Sequence, residues 1–190
     1  SWKAGEGTYV ALRSRQSPTL DSEETLKALK PILEDAGIAK CGQNLKYDIQ
    51  VLRAAGIELR GVHFDTMIAS YLLQPDRRRH GMDGLAADLL GHKTIPISEL
   101  IGRGKNQISL TDVPLESLAD YAGEDADITW RLYETLKPQI DDSPMKSLFY
   151  DVEMPLMEVL ADMEFTGVCI NVNLLQSIGR DLDQRLAQLK

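Results

Sequence analysis

Between residues 38 and 73 the chain alternates short β-prone runs with capped amphipathic runs, and this alternation most constrains the fold. Ile38-Ala39-Lys40-Cys41 reads as a short strand. Asn44 can cap the helix that follows, with apolar positions at Leu45, Ile49, Val51 and Leu52 and an end at Gly56. Val62-His63-Phe64 reads as a second strand and runs into a helix from Asp65 to Leu73, with Asp65 as its cap. Strand, helix, strand, helix is the pattern of an α/β layer, in which helices cover a sheet.

The flanks extend the pattern. Thr8-Tyr9-Val10-Ala11-Leu12-Arg13 has the β-branched and aromatic content of a strand. Asp21-Ser22-Glu23-Glu24 resembles a helix start, with Asp21 as cap and Leu26, Leu29, Ile32 and Leu33 as an apolar face. Residues 75 to 113 are less regular, with a short helix around Gly84 to Leu90. Pro114 suits the first turn of a long helix carrying Leu115, Leu118, Tyr121, Asp125, Ile128, Leu132 and Leu136. A break at Asp141-Asp142-Ser143-Pro144 precedes a helical stretch to about Phe165, and a last amphipathic helix runs to Lys190. These features place a boundary near residue 142, dividing an α/β unit (1–142) from a helical segment (143–190).

At 190 residues and 43% hydrophobic, the chain can bury a substantial core. Its net charge of −8 argues against a general nucleic-acid binder, which is usually basic, yet is compatible with an acidic site that gathers cations. No run reaches the roughly 18 apolar residues of a membrane span, so no membrane partner is expected. Cys41 and Cys169 stand far apart without ligand spacing and read as reduced packing residues of a cytoplasmic protein. Basic groups cluster at Arg77-Arg78-Arg79-His80; Arg77 and Arg78 read as a solvated loop.

The chemistry lies in two motifs. In Tyr121-Ala122-Gly123-Glu124-Asp125 the phenol and the last carboxylate are four residues apart and share one helix face. Asp48, just inside an earlier helix, can add a second carboxylate. A phenol beside paired carboxylates suits a site that holds divalent metals and orients water against a phosphodiester.

Those residues carry a resemblance. Gly42-Gln43-Asn44-Leu45-Lys46-Tyr47-Asp48 resembles the second exonuclease motif of bacterial family A DNA polymerases, and Tyr121-Ala122-Gly123-Glu124-Asp125-Ala126-Asp127 resembles the third. Gly56-Ile57-Glu58-Leu59-Arg60-Gly61, Phe64-Asp65-Thr66-Met67 and Gly104-Lys105-Asn106-Gln107 also look like this family, and Glu153-Met154-Pro155-Leu156 through Gly167-Val168 looks like the approach to its polymerase thumb. The resemblance covers essentially the whole chain. It implies a ribonuclease H-like exonuclease fold, a mixed sheet flanked by helices, with a helical C-terminal extension. It implies two Mg²⁺ or Mn²⁺ ions held partly by Asp48 and Asp125, with Tyr121 orienting the attacking water. Gln43, Asn44, Tyr47 and Arg79 are implied contacts to the single-stranded 3′ end of DNA. The implied reaction is proofreading, release of a nucleoside 5′-monophosphate, beside a polymerase domain in the same chain in the bacterial cytoplasm. Asp127 falls off the active face and Asp65 reads as a helix cap.

The family's opening Asp-x-Glu motif is not among these residues. Asp21-Ser22-Glu23 has the letters but reads as a helix start, where side chains two apart diverge by about 200° and cannot grip one metal. Asp151-Val152-Glu153 fails likewise. The chain is therefore expected to be a fragment with very weak hydrolysis of its own. Ile97 stands where the family often has an aromatic, and a lost base stack is worth about 1–3 kcal/mol. Two other readings are a non-catalytic scaffold supporting the polymerase and an RNA-processing exonuclease of the same superfamily.

Overall fold

Two short parallel strands and one long helix organise the structure, a computed structural model that describes residues 1–189. The elements run α1 (Ser22–Leu33), β1 (Lys40–Gly42), α2 (Leu45–Ala54), β2 (Val62–Asp65), α3 (Thr66–Leu73), α4 (Met82–Leu85), α5 (Ile97–Ile101), α6 (Leu115–Asp141), α7 (Met154–Thr166) and α8 (Val172–Gln188). Wide π-helical turns at Ala86–Leu90 and Leu148–Glu153 join onto α4 and α7. Lys190, where the sequence places the end of the last helix, lies outside the described residues.

The predicted βαβ unit is present. β1 and β2 pair in parallel, Cys41 opposite Phe64 and Gly42 opposite Asp65, with α2 as the crossover. Gly42 is needed here, because a Cβ would stand 2.3 Å from the Leu45 side chain. The hydrogen-bonded sheet of the described residues is this parallel pair, narrower than the mixed sheet expected.

Phe64 on β2 is fully buried at the centre of the core. Its ring meets Tyr133 edge-on at 5.2 Å and Phe149 at 4.8 Å. From α6, Ile128, Leu132, Leu136 and Ile140 form a continuous buried stripe, each four residues from the next, a spacing that keeps them on the helix face toward the core. Burying each such side chain stabilises by roughly 1.5–3 kcal/mol. The core continues past residue 142: Phe149, Met154, Met157 and Ala161 belong to it. α7 also grips the far side of α2 through Lys46–Glu164 at 2.5 Å, Gln50–Glu164 at 2.6 Å and Arg53–Asp162 at 2.8 Å.

Two local expectations need correction. Thr8–Arg13 joins no sheet; the segment around it crosses α6, with Gly5 N–H donating to Asp127 and Arg15 N–H to the Thr111 carbonyl. β-branched content favours a strand only where a neighbouring strand offers a ladder, and none stands beside this one among the described residues. Arg77 is no solvated loop residue: its side chain is 15% exposed and clamps the loop through the Gly84 carbonyl, the Arg79 carbonyl and Asp88. α8 forms as its amphipathic pattern predicts but buries none of its residues.

Candidate active site

α2 and α6 bring Asp48 and Asp125 to one cavity of about 500 Å³, whose other lining includes Gln43, Met82 and Trp130. Asp48 sits in the first turn of α2 on the cavity wall, where solvent reaches the residue but neighbouring atoms crowd its carboxyl. Asp125 is half-buried, and its Oδ1 is sequestered from water without a hydrogen-bond partner. Burial first, and then the Asp65 carboxylate, push the Asp48 carboxyl up to about 6. Burial likewise pushes Asp125 to about 6, against the pull of the Tyr121 hydroxyl and with the push of Asp83 and Glu124. Tyr121 is driven up to about 12 by burial and by the Asp125 charge. The i, i+4 relationship therefore puts phenol and carboxylate in interaction. Two carboxyls pushed up together on one cavity make an arrangement that favours a bound positive charge.

Asn44 does not cap α2 with its side chain. It adopts the left-handed conformation, φ 60° and ψ 48°, which Asn tolerates better than most residues. The capping is done by Asp65, whose carboxylate accepts from Leu45 N–H at 2.7 Å and Met67 N–H at 2.8 Å, and more distantly from Asn44 and Ile68. The expectation that Asp65 is a cap holds, and it caps two helices rather than one. Asn44 is left exposed beside a second, smaller cavity with Lys46, Met67, Ile68 and Glu153.

The remaining sequence-chosen residues are spread around this centre. Gln43 lines the cavity, but its amide donates to the His80 carbonyl at 2.9 Å and its oxygen accepts from the Thr66 hydroxyl. Tyr47 projects outward from α2, 65% exposed. Arg79 is exposed on the loop that Arg77 organises. The sequence reading passed over four residues near Asp125: Asp83, His92, Thr94 and Glu124. Glu124 carried a signal, its position beside Asp125; the others come close only through folding.

A sequence profile of the 3′–5′ exonuclease family matches residues 1–141. The chain belongs to the 3′–5′ exonuclease family. This exonuclease-family chain is 41% identical to DNA polymerase I of Pseudomonas aeruginosa, an alignment covering 99% of the chain and 21% of that protein. It thus spans about a fifth of the length of the curated relatives it matches. Among solved structures it is similar to the POL domain of Pol1 from M. smegmatis in complex with DNA primer-template and dNTP, with TM-score 0.69 and 22% identity over 92% of this chain and 26% of that one. It is also similar to Brucella melitensis NrnC, with TM-score 0.60 and 20% identity over 82% of this chain and 68% of that one. The fold is the ribonuclease H-like exonuclease fold, here helix-rich with a small parallel sheet.

Exonuclease-family membership implies divalent cations, and the donors can be tested against that. Asp125 Oδ1, buried and unpartnered, and the Asp48 carboxyl on the same cavity suit a hard cation that takes oxygen ligands. Among the described residues no third His, Cys, Asp or Glu completes a ligand cluster with them. The two carboxylates fit as part of a site.

Proposed function

We propose that this chain is the 3′–5′ proofreading exonuclease segment of a DNA polymerase I, acting on the single-stranded 3′ end of DNA. The observation that carries the reading is the convergence of Asp48 and Asp125, seventy-seven positions apart in sequence (125 − 48), on one cavity with Tyr121 interacting with Asp125. Asp48 and Asp125 would hold Mg²⁺ or Mn²⁺, and NrnC, which shares the fold, has been solved with bound Mg²⁺. When bound, such ions stabilise charge on the entering and leaving oxygens of a phosphodiester. Tyr121 keeps its proton at neutral pH and orients the attacking water through its hydroxyl. Tyr47, exposed at the head of α2, offers a ring to the terminal base, and base–aromatic stacking contributes about 1–3 kcal/mol. Arg79 supplies positive charge for the backbone, while Asn44 and the amide hydrogen left on Gln43 position the last nucleotides.

Two carboxylates without a third ligand bind cations weakly, so hydrolysis by these residues alone is slow. The chemistry belongs to residues up to about 142, and the helical segment after them supports it by completing the shared core. The similarity to NrnC keeps a second reading, an exonuclease acting on RNA.

The test is digestion of 5′-labelled single-stranded DNA and of the matching RNA with Mg²⁺ or Mn²⁺. Shortening of DNA from the 3′ end that Asp125→Ala abolishes supports the proposal. Preference for RNA supports the second reading. A folded chain that binds single strands but cleaves neither leaves a scaffold.

A further inference from the structure

Glu124 stands between the reactive pair Tyr121 and Asp125 on α6, yet its carboxylate turns to a different task. Oε1 lies 2.8 Å from His92 Nε2, and Oε2 accepts from the Ile95 backbone N–H at 2.6 Å. Its side chain is 17% exposed. Between these two anchors Thr94 is buried, and its hydroxyl donates to Asp83 Oδ1 at 2.8 Å. The segment is fastened at its start as well, since His92 N–H donates to the Ala86 carbonyl at 3.1 Å. At the adjacent residue of this turn of α6, the N-terminal segment crosses so closely that a Cβ on Gly7 would stand 2.1 Å from the Gly123 carbonyl. The turn bearing Tyr121 and Asp125 is therefore held by two separate segments of the chain.

The division of labour among the carboxylates is the informative point. Glu124 and Asp83 spend oxygens on donors of His92, Ile95 and Thr94. Among the carboxylates of the described residues, Asp125 is the one with a buried oxygen that has no partner.

We infer that Glu124 is a positioning residue: by holding both ends of His92–Ile95 it fixes the turn of α6 from which Tyr121 and Asp125 act. This rests on the exonuclease reading of that site. A displacement of about 1 Å in a reacting group can cost 100-fold in rate, so a tie one residue from Asp125 affects catalysis through the position of that turn. Glu124 touches no reacting atom in this scheme; it works through the backbone it immobilises. Outer groups of this kind typically affect metal affinity or activity by about 10–100-fold.

The experiment compares this chain with Glu124→Ala, Glu124→Gln and Thr94→Val. It reads Mn²⁺-dependent digestion of single-stranded DNA and, without metal, NMR amide exchange at Ile95 and side-chain signals of Tyr121 and Asp125. Glu124→Ala should speed Ile95 exchange, shift the Tyr121 and Asp125 signals and lower kcat by about 10–100-fold at unchanged KM for DNA. Glu124→Gln, which keeps an acceptor for Ile95 and a polar atom for His92, should restore most of both. Thr94→Val, which cuts the neighbouring tie to Asp83, should show the same signature more weakly and stands in if Glu124→Ala does not fold. An active parent with undiminished kcat in Glu124→Ala overturns the inference. So does Glu124→Gln as slow as Glu124→Ala with Ile95 still protected, since charge rather than the tie is then at work. An inert parent refutes the exonuclease reading instead, and the tie is then judged by NMR: unmoved Tyr121 and Asp125 signals in Glu124→Ala overturn it.

Discussion

The Asp65 carboxylate caps α2 from outside that helix, accepting the Leu45 N–H at 2.7 Å while its other oxygen takes the Met67 N–H of α3 at 2.8 Å. One side chain, 1% exposed, thus sets the angle between the helix that carries Asp48 and the helix that lines the core. Burial pushes its carboxyl up, while the backbone N–H groups of Leu45, Met67, Ile68 and Asn44 pull it down. Asp65→Ala leaves donors at two helix starts unsatisfied and should cost about 2–4 kcal/mol, near twice a single cap. Urea unfolding followed by circular dichroism checks this; a loss below about 1 kcal/mol would show that water replaces the carboxylate at both helices.

Stability without metal should rise as pH falls through the range where Asp125 titrates. Its carboxyl has an ordinary value of 3.8 and is held at about 6 in the fold, so between these the folded chain keeps a proton the unfolded chain has lost. The protonated form is the one the fold prefers, and its contribution is gone above about 6. Asp125→Asn should flatten this dependence and stabilise the metal-free chain at pH 7 by about 1–2 kcal/mol, a value discounted from the full shift because the group keeps some solvent contact. Asp48→Asn should act in the same direction, less strongly, since solvent reaches Asp48. Urea midpoints at pH 5 and pH 7 decide it; equal slopes in parent and Asp125→Asn would refute the assignment.

Tyr121→Phe removes the hydroxyl that lowers the Asp125 carboxyl against burial. The Asp125 carboxyl should then titrate above its present value of about 6, visible in carbon-detected NMR. Where exonuclease activity is measurable, the same change should lower kcat. An unmoved titration would mean that phenol and carboxylate do not interact in solution.

Gly7→Ala puts a methyl within 2.1 Å of the Gly123 carbonyl, a backbone atom that cannot swing aside. The N-terminal segment should lift from α6, breaking the Gly5–Asp127 hydrogen bond while the Phe64 core stays intact. Limited proteolysis should cut ahead of α1 far faster than in the parent, at nearly unchanged far-UV dichroism. Equal cleavage rates would show the crossing to be loose already.

A chain ending at residue 142 should not fold. It lacks Phe149, Met154, Met157 and Ala161, which pack in the same cluster as Phe64 and the α6 stripe. Phe149→Ala alone should cost about 3–5 kcal/mol. A cooperative thermal transition in the truncated chain would refute the shared core.

Much of this was legible in the sequence, because it depends on local periodicity and on short-range chemistry. The βαβ order, the Asp21 cap, the long α6 and the pairing of Tyr121 with Asp125 all follow from spacings that a helix or strand imposes on its own residues. That the motif around Asp48 and the motif around Asp125 belong to one site came from their resemblance to the exonuclease family, since no local repeat links residues this far apart. Only tertiary structure decided which long-range partners each group found. Asn44 looked like the cap of α2, but Asp65, brought alongside by the β1–β2 pairing, satisfies those N–H groups and frees Asn44 to turn left-handed. Thr8–Arg13 had the composition of a strand, but composition cannot supply the neighbouring ladder. Glu124 could be read as one more acid on a helix until folding brought His92 and Ile95 to it. A residue's neighbours within a turn or two are set by the backbone repeat; those thirty residues away are set by which faces pack, and that is a property of the whole core.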